Sequence, residues 1–271
     1  MYSRGVFQRS EITKGENLLQ ELTEINALIV GATQGIGLGF VRSLLLDTRV
    51  KKLFCSYRQE ATAGELFKLR ADHPDRVVCL NLDVTEEADI VSAAESIKDA
   101  VGALHLALYC VGVLHEGELA PEKSLRDLNA PDLLYSFQVN SIGAALVAKH
   151  LATLFDRRTP SLFAAISAKV GSIGDNRLGG WYGYRASKAA LNMFMKTAAI
   201  EYKRRCPCTI VVSLHPGTTD TRLSKPFQDN VPEEQLFSVE RTVGLLTDVM
   251  SRLTPEDSGE FYSWNGNRLP W

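Results

Sequence analysis

The chain has 271 residues, 45% hydrophobic and 23% charged, with 30 basic against 32 acidic side chains and a net charge of −2. That is the make-up of a soluble globular protein with a sizeable core, and its near-neutral balance leaves no electrostatic case for nucleic acid. No apolar run reaches the ~18 residues of a membrane span. The five cysteines, Cys55, Cys79, Cys110, Cys206 and Cys208, are an odd count, and three of them lie inside apolar runs. Cys206-Pro207-Cys208 is too closely spaced for a zinc knuckle, so a reduced, intracellular and by default cytoplasmic protein with no metal is expected.

Residues 1–25 mix Arg4, Arg9 and Lys14 with Glu11, Glu16, Glu21 and Glu24 and lack the apolar centre of a secretory signal. They read as an N-terminal extension with a short amphipathic helix around 17–22. From residue 26 to 271 short apolar runs alternate with longer helical patterns. Strands are predicted at 27–30, 52–56, 77–81, 104–109, 161–167, 209–214 and 260–263. Helices are predicted near 36–47, 61–72, 86–100, 131–156, 185–204 and 239–253. This alternation implies crossover units and one α/β domain, a parallel sheet of about seven strands with helices on both faces.

The first strand runs into glycines at Gly31, Gly35 and Gly37 in "NALIVGATQGIGLG" and then into a helix. Glycine there admits φ > 0 and lets a phosphate approach the main chain, while the helix N-terminus offers free N–H groups to a pyrophosphate. Thr33, Gln34 and Ile36 fill the turn between the glycines. The second strand ends "CSYR" with no carboxylate for adenosine ribose hydroxyls. Arg58 instead offers a guanidinium suited to a 2′-phosphate and Ser56 a hydroxyl, favouring NADP(H), with NAD(H) as the alternative.

The spacing G-x-x-x-G-x-G resembles the short-chain dehydrogenase/reductase family, a Rossmann-type doubly wound fold, and the resemblance extends from Ala27 to about Thr221. It implies that Asp83 and Val84, after the third strand, contact the adenine. Asp83 with Thr85 and Glu86 also reads as a helix cap, and the two roles are compatible. After the fourth strand the family's Asn-Asn-Ala-Gly is replaced by Tyr109-Cys110-Val111-Gly112, which keeps small residues, Cys110 and Gly112, beside the nicotinamide ribose. After the sixth strand Pro216 and Gly217 form a sharp turn. Thr219 or Thr221 then serves the nicotinamide carboxamide, and residues 222–238 form a mobile substrate flap.

Four further positions carry the expected chemistry. Asn140 stands mid-helix, where asparagine is a mediocre helix former and, if buried, requires partners. The resemblance gives its backbone carbonyl a water that links a lysine to solvent. Tyr184 and Lys188 stand four apart on one helical face, while Tyr182 has Ala186 at that spacing. A phenol titrates near 10; an ammonium beside it and an oxidised nicotinamide would lower that value, making Tyr184 the general acid/base. Lys188 would also hold the nicotinamide ribose. The family's Ser-Ser-x-x-Gly appears as Ser167-Ala168-Lys169-Val170-Gly171, followed by Ser172. With alanine in the usual slot, either Ser172, which is preferred for its distance from Tyr184, or Ser167 supplies the hydroxyl, or tyrosine acts alone.

"GSIGDNRLGGWYGYRASKAALN" and "GEFYSWNGNRLPW" resemble the branch containing the C-factor (C-signal) proteins. The expected function is an NADP(H)-dependent reductase or dehydrogenase acting on a small carbonyl or secondary alcohol. Its alternatives are a dinucleotide-binding signalling or interaction protein with little turnover, and a nucleotide-sugar epimerase, for which the C-terminal segment is short. The helices near 131–156 and 185–204 carry wide apolar faces that pair subunits in the resembled family, so a homodimer or homotetramer is expected.

Overall fold

A computed structural model describes residues 22–229 and 231–271. The N-terminal extension, with the helix predicted around 17–22, falls outside the described residues except at its last few positions. Seven strands form one sheet in the order β3-β2-β1-β4-β5-β6-β9. They are β1 (Ile25–Val30), β2 (Val50–Tyr57), β3 (Val77–Asn81), β4 (Leu106–Tyr109), β5 (Ser161–Ile166), β6 (Thr209–His215) and β9 (Phe261–Ser263), all paired in parallel. A separate short pair joins β7 (Thr218–Thr219) to β8 (Leu236–Phe237).

Helices α1 (Gly35–Leu46), α2 (Gly64–Asp72) and α7 (Val239–Met250) lie on one face of the sheet; α3 (Glu87–Val101), α4 (Ala130–Phe137), α5 (Gly143–Leu151) and α6 (Tyr182–Arg205) lie on the other. The strands are buried on both sides, and alternate residues feed two separate apolar layers. Leu28, Val30, Tyr109 and Phe163 pack with Val147, Leu191 and Met195, whereas Ala27, Ile29, Leu108 and Ala164 pack with Phe40, Val41 and Leu246. The chain order reverses direction between β1 and β4, so the crevice outside their carboxyl ends is the natural place for a ligand.

The helix predicted over 131–156 is two helices joined by a π-helical turn, Gln138–Ile142, and it ends at Leu151. An extra residue per turn leaves the apolar pattern nearly intact, so only the backbone reveals it. Helix α6 begins three residues earlier than the predicted 185, directly after Trp181. That residue has a left-handed backbone (φ 51°, ψ 45°) and is the one non-glycine with positive φ among the described residues.

Candidate active site

A continuous cleft opens at the carboxyl ends of the strands, in two lobes that share Gln34, Cys110, Val111, Gly112, Arg222 and Leu223. One lobe, about 270 Å³, is lined by Gly31, Thr33, Ser56, Arg58, Asp83, Val84, Glu116 and Tyr135. The other, about 450 Å³, is lined by Gly35, Ile36, Ala168, Trp181, Tyr184, Lys188, His215, Pro216, Gly217, Thr219, Thr221 and Phe227.

The glycine turn joins the lobes. Gly31 and Gly35 have φ of +86° and +52°. A Cβ at Gly37 would land on the Gly31 carbonyl, so the first turn of α1 packs tightly under β1. Gln34 caps α1 without a side-chain hydrogen bond and no acid stands in the first turn, leaving N–H groups and a partial positive charge facing the cleft. Ser56 is buried and its hydroxyl oxygen accepts the Gly31 N–H at 2.8 Å, so it braces the turn.

At the rim of the smaller lobe Arg58 donates to Glu116 (2.5 Å) and to the Tyr135 hydroxyl (3.1 Å), which itself donates to the other Glu116 oxygen (2.5 Å). Hydrogen bonds from Tyr135 and Arg58 hold Glu116 below the usual carboxylate range. The guanidinium predicted to meet a 2′-phosphate thus has an anion beside it. Asp83 accepts from the Thr85 N–H (2.9 Å) and hydroxyl (2.7 Å), the turn expected of a cap; the helix N-cap itself is Glu86.

Asn140 lines neither lobe; it is fully buried and its side-chain bonding is internal. Its Oδ1 accepts the Val113 N–H (2.7 Å), and its Nδ2 donates to the Val113 carbonyl (2.8 Å) and to Ser187 Oγ (3.0 Å). Ser187 in turn donates to the Tyr184 carbonyl at 2.9 Å. One amide therefore fastens the loop after β4 to the helix that carries Tyr184 and Lys188. Cβ space at Gly112 is tight, with Lys188 Nζ at 3.3 Å and Asn140 Oδ1 at 3.4 Å, so a larger residue would need both to give by a few tenths of an ångström.

Lys188 is buried, and its Nζ donates to the Ile166 carbonyl at 3.0 Å. Burial pushes it down to about 8. The Nζ stands 5.8 Å from the centre of the Tyr184 ring. The lysine and an oxidised nicotinamide together were expected to acidify the phenol. Among the protein's own groups burial wins, and it pushes Tyr184 above its ordinary value. Both groups are driven toward their neutral forms, because a site that excludes water penalises each charge.

Of the two candidate serines, Ser167 lines the larger lobe and Ser172 does not. Ser167 is buried and donates to Asn192 Oδ1 at 2.7 Å. A short 3₁₀ turn, Lys169–Gly171, carries the chain away from the cleft, and Ser172 Oγ accepts the Asp175 N–H at 3.1 Å. Ser172 is absent from the lining of both lobes, and Ala168 lines the larger one. Of the threonines, Thr219 shares a hydrogen bond with Thr242 at 2.8 Å, while the Thr221 methyl abuts the space above Gly35.

Three features escaped the sequence reading. Glu122 is buried; its carboxylate accepts the Gly183 N–H (3.0 and 3.2 Å) and its carbonyl the Trp181 N–H (2.5 Å), which pins the start of α6. Trp181 and Phe227 meet edge-on at 5.0 Å, with Tyr184 at 6.3 Å from the indole, forming an aromatic wall. His215, which ends β6, lines the same lobe. The tyrosine and lysine announce themselves by their spacing; a single glutamate, tryptophan or histidine carries no such signal.

This arrangement has relatives. The sequence model of the family described as short chain dehydrogenase matches residues 25–232, and the chain belongs to that family. It is an oxidoreductase of the short-chain type. An uncharacterized oxidoreductase of Schizosaccharomyces pombe is 28% identical over 255 residues, 90% of this chain and 96% of its own length. The C-signal protein of Myxococcus xanthus is 29% identical over 148 residues, 55% of this chain and 84% of its own. Among solved structures, an NADPH-bound carbonyl reductase from chicken fatty liver matches with a TM-score of 0.80 at 28% identity, over 92% of this chain and 100% of that one. The carbonyl reductase Sniffer of Drosophila melanogaster shares the fold, with a TM-score of 0.79 at 23% identity over 92% of this chain and 100% of that one.

Proposed function

We propose that the protein is an NADP(H)-dependent oxidoreductase that interconverts a small carbonyl compound and its secondary alcohol, with Tyr184 as general acid/base. The observation that carries this reading is the single cleft with an anion-ready glycine turn at its middle and a half-buried Tyr184 four residues from a buried Lys188 in one lobe. NADPH, when bound, supplies the hydride. The free N–H groups of α1 and the Gly31–Gly37 turn would hold its diphosphate, with Thr33, Gln34 and Ile36 around it. Arg58 and Ser56 would face the 2′-phosphate, and Asp83 and Val84 the adenine. Cys110, Gly112 and Lys188 would adjoin the nicotinamide ribose, and Pro216, Gly217, Thr219 and Thr221 the carboxamide. Burial keeps Tyr184 in the protonated form that a carbonyl oxygen needs in the reductive direction, while making it a weaker acid that Lys188 and a bound nicotinamide would have to assist.

The test combines equilibrium binding of NADPH and NADH with turnover across a panel of aldehydes and ketones. Tight NADPH binding with turnover that Tyr184→Phe abolishes is the expected result. Binding without turnover on any carbonyl favours the second reading, a dinucleotide-binding signalling protein, which Ala168 in the cleft and the C-signal likeness support. The reading includes a homodimer or homotetramer. Exposed Leu134 and Ile142 on the α4–α5 segment and Met193, Phe194 and Ile200 on α6 are the surface it would use, with light scattering as the check.

A further inference from the structure

Ala168 removes the hydroxyl that would steady a substrate oxygen, yet the wall beside it carries another hydrogen-bond donor. His215 follows Leu214, which pairs with Ile166 of β5, and its Nδ1 accepts the N–H of Lys169 at 3.3 Å. That places the imidazole against the turn in which Ala168 sits. A neutral imidazole that accepts at one nitrogen carries its proton on the other. The Nε2–H therefore faces away from Lys169, and it has no hydrogen-bond partner among the described residues. Burial, helped by the nearby Lys169 charge, pushes the ring down to about 4, so it stays neutral at physiological pH. Of the nearby serines, Ser167 lines the lobe but gives its proton to Asn192, and Ser172 lies outside the lining. His215, Ala168, Tyr184 and Lys188 all line the same lobe.

We infer that His215 is a catalytic residue whose Nε2–H, together with Tyr184, holds the substrate carbonyl oxygen in place of the missing serine hydroxyl. This rests on the proposed carbonyl chemistry. In the reductive direction the oxygen accepts a hydrogen bond from Nε2–H and a proton from the Tyr184 hydroxyl, while the carbon gains the hydride of the reduced nicotinamide. The C=O π bond breaks, C–H and O–H bonds form, and His215 keeps its proton. Tyr184 is left as phenolate, to be reprotonated from solvent. A neutral imidazole is a suitable electrophile here, because a donor that carries no net charge polarises the oxygen without adding a second cation beside Lys188.

The test compares wild type, His215→Ala and His215→Ala/Ala168→Ser, each checked for folding by circular dichroism and for NADPH affinity. His215→Ala is expected to lower kcat for the best carbonyl substrate ~100-fold with NADPH affinity unchanged, the scale of losing one oxyanion donor. Restoring a serine at 168 should recover at least about tenfold of that loss, a rescue that a merely structural histidine would not give. A single variant within about threefold of wild type, or no rescue by Ala168→Ser, overturns the inference. Should His215→Ala not fold, ¹⁵N NMR of the imidazole in the intact wild-type protein decides. An Nε2–H tautomer at neutral pH supports the assignment, and an Nδ1–H or doubly protonated ring sinks it. Wild-type protein that binds NADPH but reduces no carbonyl would refute the proposed function instead, and the NMR result would still stand on its own.

Discussion

The two lobes of the cleft handle charge in opposite ways. In the smaller lobe Arg58 and Glu116 sit at the solvent rim beside the Tyr135 hydroxyl and stabilise each other's charged forms, so Arg58 is pushed up and Glu116 down. At the catalytic end Lys188 is pushed down to about 8 and His215 to about 4, while Tyr184 is pushed up, all by burial. One lobe offers an exposed ion pair; the other holds a neutral phenol and imidazole beside a lysine whose charge burial disfavours. In the proposed function, recognition and proton transfer would be separated along one crevice by the glycine turn.

The sharpest break of this contrast is Tyr184→Phe. It should cost about 10³-fold or more in turnover while NADPH binding, followed by nucleotide fluorescence, stays within about twofold. Asn140→Ala comes next. It strands the buried N–H and C=O of Val113 and frees Ser187, and urea unfolding should show a loss of about 2–4 kcal/mol. A drop below about 0.5 kcal/mol would mean that the loop after β4 is not held through this amide.

Lys188→Met tests the catalytic lobe's penalty on charge. Between about pH 8 and the lysine's ordinary 10.5 the unfolded chain binds the proton that the folded protein has already released. Stability contributed by this site therefore rises with pH across that window, by about 3 kcal/mol. The unfolding free energy of wild type minus that of Lys188→Met should climb accordingly, cancelling the background from other tyrosines and cysteines. A flat difference would show that the ammonium is solvated. The smallest effect belongs to the rim. Glu116→Gln frees the guanidinium of Arg58, so NADPH should bind about threefold more tightly, in keeping with an exposed ion pair, with NADH unaffected. Equal tightening of both nucleotides would detach this pair from the 2′-phosphate.

Much of this was legible from residue order. The strands fell within a few residues of their predicted places because buried parallel strands are continuous apolar runs, as "ALIV" and "LFAAI" are. Asn140 stood out as a polar residue on an apolar face, and the structure provides the partners that burial demands. What the sequence concealed is three-dimensional. The 3₁₀ turn after Ala168 swings Ser172 out of the cleft although its spacing from Tyr184 looked right. His215 meets Lys169 only because β5 and β6 are neighbours. Desolvation, which among the protein's own groups pushes the Tyr184 phenol up, is a property of the surroundings rather than of the Tyr-x-x-x-Lys spacing.

Trp181 has a backbone shape that glycine or asparagine would adopt at ~1–2 kcal/mol less. An indole stands there nonetheless, its backbone N–H held by the Glu122 carbonyl and its ring edge-on to Phe227. Its emission should therefore change when a molecule enters beside Tyr184, giving the protein an intrinsic optical gauge of occupancy that requires no label.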